Sequence, residues 1–257
     1  MNISLLNKKE LIEYCSNLGI ETSKKTINML KKEVTLYRQN EIKISKDNGD
    51  DLSLLKLKIR ELADRYSDNL HKKIIDRKEE MRLDNNSHYL IYQVLGISYK
   101  DGQLIDEYQN TGRFLYKYAG SFLEEASSLC LSFYNPLGGR ELVENTFGVR
   151  PKTFEIDFLN GKDAIELKWR DATTDGDHIT KEHTRVKVIK SYGFTPIRVM
   201  FYYPQREQAI KIQDTLQTLY KGIGGEYYAG DEAWEYIFNI TGYNLKSILE
   251  DIAEDRR

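Results

Sequence analysis

The stretch Thr153-Phe-Glu-Ile-Asp-Phe-Leu-Asn-Gly-Lys-Asp-Ala-Ile-Glu-Leu-Lys168 sets two runs of alternating apolar and polar residues on either side of Asn160-Gly161. Asn-Gly between two such runs is a strong local hairpin signal, because both residues tolerate the positive φ that a tight turn demands. A two-residue loop at Asn160-Gly161 puts Leu159 opposite Lys162, and hence Asp157 opposite Ala164, Glu155 opposite Glu166 and Thr153 opposite Lys168. Opposed residues share a sheet face, so Glu155, Asp157, Glu166 and Lys168 are expected together on one side. Phe154, Ile156, Phe158, Ile165 and Leu167 are expected on the other, the core side. A solvated face of an antiparallel sheet is the ordinary account of such charges. Three carboxylates crowded beside one amine, however, repel one another unless a cation joins them. Oxygen ligands select a hard divalent ion, and Mg²⁺ is the expected occupant. Carboxylates that hold a metal, and a lysine that orients a nucleophile, suit hydrolysis of a phosphodiester.

The residues after the hairpin give it a setting. Trp169-Arg-Asp-Ala-Thr-Thr-Asp-Gly-Asp-His178 reads as a polar surface loop, and Ile179–Tyr192 as a helix stopped by Gly193. Thr195–Tyr203 reads as a buried strand ended by Pro204. Gln205–Tyr220 is an amphipathic helix with Ala209, Ile212, Leu216 and Leu219 on one stripe. Before the hairpin, Arg113–Leu131 is helical, with Leu115, Tyr118, Ala119, Phe122, Ala126 and Leu129 at three- and four-residue spacing. On that wheel Glu125 lies at the edge of the stripe and Glu124 opposite it.

Asp157 followed by Glu166-Leu167-Lys168 on the next strand resembles the PD-(D/E)XK nuclease motif, with Ile156 in place of the proline. With the loop Arg170–His178 and the strand after Gly193, it resembles more narrowly the ApaLI-like family of type II restriction endonucleases. The resemblance implies an α/β (α+β) fold, a restriction-endonuclease-like core of mixed sheet flanked by helices with a helical N-terminal region. It implies Mg²⁺-dependent, sequence-specific cleavage of double-stranded DNA by a homodimer, one subunit per strand of a palindromic site. A cognate DNA methyltransferase is expected in the same restriction-modification system, though not as a stable partner. The catalytic set is then Asp157, Glu166 and Lys168. Such nucleases often carry a further acid on the helix before the hairpin, which makes the metal set Asp157, Glu166 and Glu125. Arg170, Asp171, Thr173, Thr174, Asp175, Asp177 and His178 become candidates for DNA contact, since polar side chains on that loop suit phosphates and base edges. A structure-selective repair or recombination nuclease of the same fold, and a non-cleaving DNA-binding module, are the alternatives. The complete Asp157/Glu166/Lys168 set speaks against the latter.

The remainder of the 257 residues divides by charge. Residues 1–46 carry nine Lys/Arg against five Asp/Glu, and residues 226–257 carry three against eight. The basic end reads as a helix, a short link after Gly19-Ile20 and a second helix through Ile27, Leu30, Val34 and Tyr37. That layout resembles a SAP-type DNA-binding motif, with Lys24, Lys25, Lys31 and Lys32 as phosphate contacts. Asp47-Asn-Gly-Asp-Asp51 is the polar break after it. The expected division is therefore a basic helical unit at 1–46, a helical spacer at 47–110 and the nuclease core at 111–257. Leu52–Leu83 forms the long helix of the spacer, and Tyr89–Tyr108 is too mixed for assignment. Near the C-terminus, Glu232–Phe238 and Leu245–Ile252 read as two short helices, a candidate dimerisation element.

Other readings drop out. Two cysteines, Cys15 and Cys130, provide neither a disulfide framework nor metal spacing. With no signal peptide and no apolar run of membrane-spanning length, a cytoplasmic location is expected. A net charge of −2 neither requires nor excludes nucleic acid. Gly222-Ile-Gly-Gly225 lacks the Lys-Ser/Thr of a phosphate-binding loop. Asp175, Asp177, His178 and His183 suit a DNA-facing turn better than a second metal site.

Overall fold

In a computed structural model, residues 8–23, 25–27, 29–30, 33–34, 37, 51–170 and 176–257 are described, the side chains of residues 10 and 176–178 aside. The elements are α1 (Lys8–Asn17), α2 (Asp51–Leu83), α3 (Tyr89–Val94), α4 (Tyr99–Tyr134), β1 (Gly139–Glu144), β2 (Thr153–Asn160) and β3 (Asp163–Lys168). There follow α5 (Gly176–Ser191), β4 (Thr195–Met200), α6 (Glu207–Gly222), β5 (Glu226–Ala229), α7 (Asp231–Thr241) and α8 (Leu245–Glu254). The chain divides into one unit of residues 1–57 and 124–257 and another of residues 58–123, so that the division falls inside α2 and α4. No helix among the described residues is long and apolar enough to cross a membrane.

The first unit is built on a mixed five-stranded sheet in the order β1-β2-β3-β4-β5. β1, β2 and β3 run antiparallel, whereas β4 and β5 run parallel to β3 and are reached through α5 and α6. β4, between β3 and β5, reads Pro-Ile-Arg-Val-Met after Thr195 and is buried over those five residues, as a parallel strand should be. One core cluster joins Val143, Phe154, Ile156 and Ala164 of the sheet to Val188 and Ile189 of α5. A second joins Val186 of α5 to Ile212, Leu216 and Tyr220 of α6 and Tyr227 of β5. α7 and α8 bury Ala233, Tyr236, Ile237, Leu245, Ile248 and Ile252 within this chain. Phe238 of α7 stays half exposed.

The hairpin departs from its expected register in an instructive way. Asn160 pairs with Asp163, so the loop is Gly161-Lys162 and each opposed pair shifts by two residues. Gly161 supplies the positive φ of the turn, 63°. Asn160 stays in the strand, its side-chain oxygen accepting from Asn135 Nδ2 at 2.7 Å just beyond α4. A slip of two preserves the face of every side chain, where a slip of one would invert them all. The inversion comes instead from a β-bulge. Ile156 lies opposite Glu141 and Leu159 opposite Gly139, so Asp157 and Phe158 together face the single residue Arg140. Ile156 and Leu159, three residues apart, consequently pack against the same cluster. The single apolar face expected of Phe154, Ile156, Phe158, Ile165 and Leu167 is thus divided between the two sides of the sheet.

The N-terminal residues that are described form a small core of Leu11, Cys15, Leu30 and Val34, with Ile12, Tyr14, Leu18 and Ile20 against it. The second unit pairs α2 with the first part of α4. Its contacts include Tyr66 edge-on to Tyr118 and Phe122, Arg77 over the ring of Phe114 at 5.6 Å, and Lys78 bonded to Glu107 at 2.6 Å. The region Tyr89–Tyr108, unassigned from sequence, supplies α3 and the start of α4. Its join is a cluster of Tyr89, Tyr92, Tyr99 and His88.

Candidate active site

Backbone pairing of β2 with β3 extends from Asn160↔Asp163 only to Phe158↔Ile165. Beyond that point side chains span the gap. Asp157 Oδ2 accepts the Leu167 backbone N–H at 2.7 Å and lies 3.4 Å from Lys168 Nζ. Lys168 Nζ also donates to the Leu167 carbonyl at 3.0 Å and pairs with Glu166 Oε1 at 2.6 Å. Asp157, Glu166 and Lys168, read from sequence as a set, are therefore in mutual contact. Asp157 and Glu166 are buried, Lys168 partly so.

A second layer of charge lies behind them. The Nη1 atom of Arg185 on α5 donates to the other oxygen of Glu166 and, at 2.9 Å, to the backbone carbonyl of Glu155. Arg185 Nε stands 3.1 Å from Glu182 Oε1. Glu182 Oε2 accepts from Arg198 Nη1 of β4 at 3.2 Å and from the Tyr220 hydroxyl of α6 at 3.1 Å. Sequence reading passed over Glu182, Arg185 and Arg198. Three charged residues inside otherwise apolar stripes of α5 and β4 were the available signal.

On the open side, Arg140 in the bulge register bonds Glu124 Oε1 at 3.0 Å and lies 3.3 Å from Glu155 Oε1. Among the described residues, Glu124, Glu155 and Asp157 form an acidic group in which one oxygen from each lies within 4.8 Å of the others. The acid contributed by α4 is Glu124, where the expected wheel favoured Glu125. The buried stripe in this part of α4 runs Leu123, Ala126, Ser127, Cys130 and Leu131, one position round from the expected one. Glu124 flanks it, three and seven residues before Ser127 and Leu131. Glu166, expected as a metal ligand, is engaged by Lys168 and Arg185.

Electrostatics separates these acids. Burial pushes the Asp157 carboxyl up to about 7, helped by neighbouring Glu166 and opposed by Lys168 and the Leu167 N–H. Burial also raises Glu124, with Lys168 and Arg140 opposing. For Glu166 burial acts upward too, but Lys168 and Arg185 outweigh it and hold the carboxyl below its ordinary value. Lys168 is held above the ordinary lysine range, because Glu166 and Asp157 overcome its desolvation. Five carboxylates, Glu124, Glu155, Asp157, Glu166 and Glu182, thus meet four cationic side chains, Arg140, Lys168, Arg185 and Arg198. The excess negative charge resides at Asp157 and its neighbours. Three oxygen donors around an under-neutralised buried carboxylate fit a hard divalent cation.

The expected DNA-contacting residues fare unevenly. Arg170 is exposed, its guanidinium 5.5 Å from the centre of the Trp169 ring. Asp171, Thr173, Thr174 and Asp175 lie outside the described residues, as do Lys24, Lys31 and Lys32. Asp177 and His178 fall in the first turn of α5, their side chains likewise outside the described part. Lys25 is paired with Glu33 at 2.6 Å.

The model of one protein family, described as ApaLI-like restriction endonuclease, matches residues 23–254. No curated protein and no solved structure matches the chain.

Proposed function

The chain belongs to the ApaLI-like restriction endonuclease family, and on that premise we propose that it is a type II enzyme cleaving both strands of duplex DNA at a specific short site, dependent on Mg²⁺ and acting as a homodimer. Membership alone makes it a nuclease that binds DNA, of a kind generally dependent on a metal. The observation that carries the finer reading is Lys168 Nζ held against Asp157 and Glu166, beside the acidic group of Glu124, Glu155 and Asp157. Asp157, Glu124 and Glu155 would hold the ion, and Glu166 takes the role of anchoring the lysine. When bound, the ion supplies charge neutralisation at the scissile phosphate and a water more acidic than bulk.

The protein's own groups do the rest. Lys168 keeps its proton at neutral pH, so it serves as a donor rather than a base. Its ammonium orients the attacking water and offsets charge gathering on the phosphate oxygens. Glu166, kept ionised by Lys168 and Arg185, fixes the direction in which that ammonium points. Arg170, beyond β3, is assigned to the DNA together with Asp171, Thr173, Thr174, Asp175, Asp177 and His178. Polar side chains following the catalytic strand in sequence are well suited to edges of bases.

The test compares wild-type protein with Asp157→Ala and Lys168→Ala on plasmid and on a duplex carrying the target site. With Mg²⁺ the wild type should cut, and both variants should lose at least ~10²-fold in rate, the scale of one lost preorganised contact. With Ca²⁺, which bridges carboxylates loosely, wild type should bind the target without efficient cleavage. Full activity of Asp157→Ala at saturating Mg²⁺ contradicts the assignment.

A further inference from the structure

We infer that Arg185 is a positioning residue that sets the spacing between the strand carrying Asp157 and the strand carrying Glu166 and Lys168. The inference rests on the nuclease reading above, since it concerns the same site. Its basis is the interruption of the β2–β3 ladder at Phe158↔Ile165. The bulge at Asp157-Phe158 bends β2 away from its regular course, and Arg185 Nη1 takes up the span. One nitrogen donates to the Glu155 carbonyl of β2, at 2.9 Å, and to the Glu166 carboxylate of β3. The guanidinium therefore substitutes for the missing backbone rungs.

Two further contacts hold it in place. Glu182 Oε1 stands 3.1 Å from Nε, and Glu182 is itself held by Arg198 and Tyr220. The ring of Phe154 lies beneath the guanidinium, 5.5 Å from centroid to Cζ. Glu182, Arg198 and Tyr220 are buried, so none of them can relax toward water to accommodate a shift. A planar guanidinium that reaches a carbonyl and a carboxylate through Nη1 while setting Nε beside a second carboxylate is a geometry that arginine offers and lysine, with one nitrogen, lacks. Misplacing reacting groups by about 1 Å can cost on the order of 10²-fold in rate.

Arg185→Lys keeps the positive charge beside Glu166 but removes the fork, and Arg185→Met removes both. Glu182→Gln is the gentler variant, loosening the guanidinium from behind while preserving volume. Each is measured for kcat and KM in Mg²⁺-dependent cleavage, with thermal unfolding to confirm that it folds. Arg185→Lys should lose ~10²-fold in kcat with KM for DNA unchanged, and Glu182→Gln should lose part of that, again in kcat alone. Arg185→Lys with wild-type kcat would overturn the inference, as would a loss falling on KM, the mark of a DNA contact. If Arg185→Lys does not fold, Glu182→Gln decides, and its wild-type kcat would overturn the inference equally. Absence of Mg²⁺-dependent cleavage by wild-type protein would sink the nuclease reading and this inference together. Wild-type cleavage with an undisturbed Arg185→Lys would sink the inference alone.

Discussion

Asp157 is in an environment that opposes its own charge. Its carboxyl holds a proton up to about pH 7, against an ordinary value near 3.8, because it is buried beside Glu166. Between those values the folded protein binds more protons at this site than the unfolded chain, so its contribution to stability declines as pH rises and stays lost above 7. A tenfold difference in proton affinity between the two states corresponds to about 1.4 kcal/mol. Asp157→Asn removes the penalty while retaining an acceptor for the Leu167 N–H. In EDTA the variant should therefore gain in melting temperature relative to wild type between pH 4 and pH 8. A difference constant across that range contradicts the account. A second prediction distinguishes neighbours on α4. Glu124→Gln should weaken Ca²⁺ binding measured by calorimetry and abolish Mg²⁺-dependent cleavage, whereas Glu125→Gln should leave both close to wild type. The reverse pattern would restore the ligand assignment expected from sequence.

At the scale of elements, the sequence revealed the hairpin, both crossover helices and β4, because periodicity is a local property. It did not reveal the bulge, which exists only in the pairing of β2 with β1. β1 itself escaped notice: Gly-Arg-Glu-Leu-Val-Glu lies at a sheet edge, mostly in contact with solvent, and shows little alternation in polarity. β5 is four residues long, too short for any period to emerge. That Glu124 rather than Glu125 lies in the acidic group was not legible for a related reason. The apolar stripe of α4 was drawn through Leu115, which is half exposed, and one position of rotation exchanges the two acids. Asp157, Glu166 and Lys168 were legible because their order and strand placement form a motif, whereas Arg185 and Glu182 reach the site only through tertiary packing. The bulge offers a prediction of its own. A Cβ on Gly138 would stand 2.7 Å from Phe158 Cζ and 2.9 Å from the Leu159 carbonyl. Gly138→Ala should therefore cost roughly 1–3 kcal/mol of stability in urea unfolding, as overpacking does, and reduce kcat by displacing Asp157. Wild-type stability in that variant would show that β2 yields at the bulge without consequence.

On the scale of the whole molecule, the proposed homodimer would need a surface, and the unit of residues 58–123 exposes an apolar one. α3 exposes Leu90, Ile91 and Val94, with Leu95 just after it, and α4 exposes Leu104, Ile105, Tyr108 and Leu115. On α4 these four fall within one face at three-, four- and seven-residue spacing, an apolar face left exposed among the described residues. A stable complex buries roughly 800 Å² on each partner. We propose a second copy of this chain as the occupant of that face, since a homodimer would match a two-fold symmetric site. Ile91→Glu with Ile105→Glu should halve the mass seen by light scattering and convert double-strand cutting of supercoiled plasmid into nicking. An undiminished mass would move the dimer contact elsewhere.

Digesting plasmid DNA with the wild-type protein and sequencing the ends decides whether it is a metal-dependent nuclease that cuts at one specific sequence. With Mg²⁺ the account predicts a fixed set of fragments whose ends all derive from one short palindromic sequence, and intact plasmid in EDTA. Ends of random sequence, cleavage persisting in EDTA, or no cleavage at any Mg²⁺ concentration would contradict it.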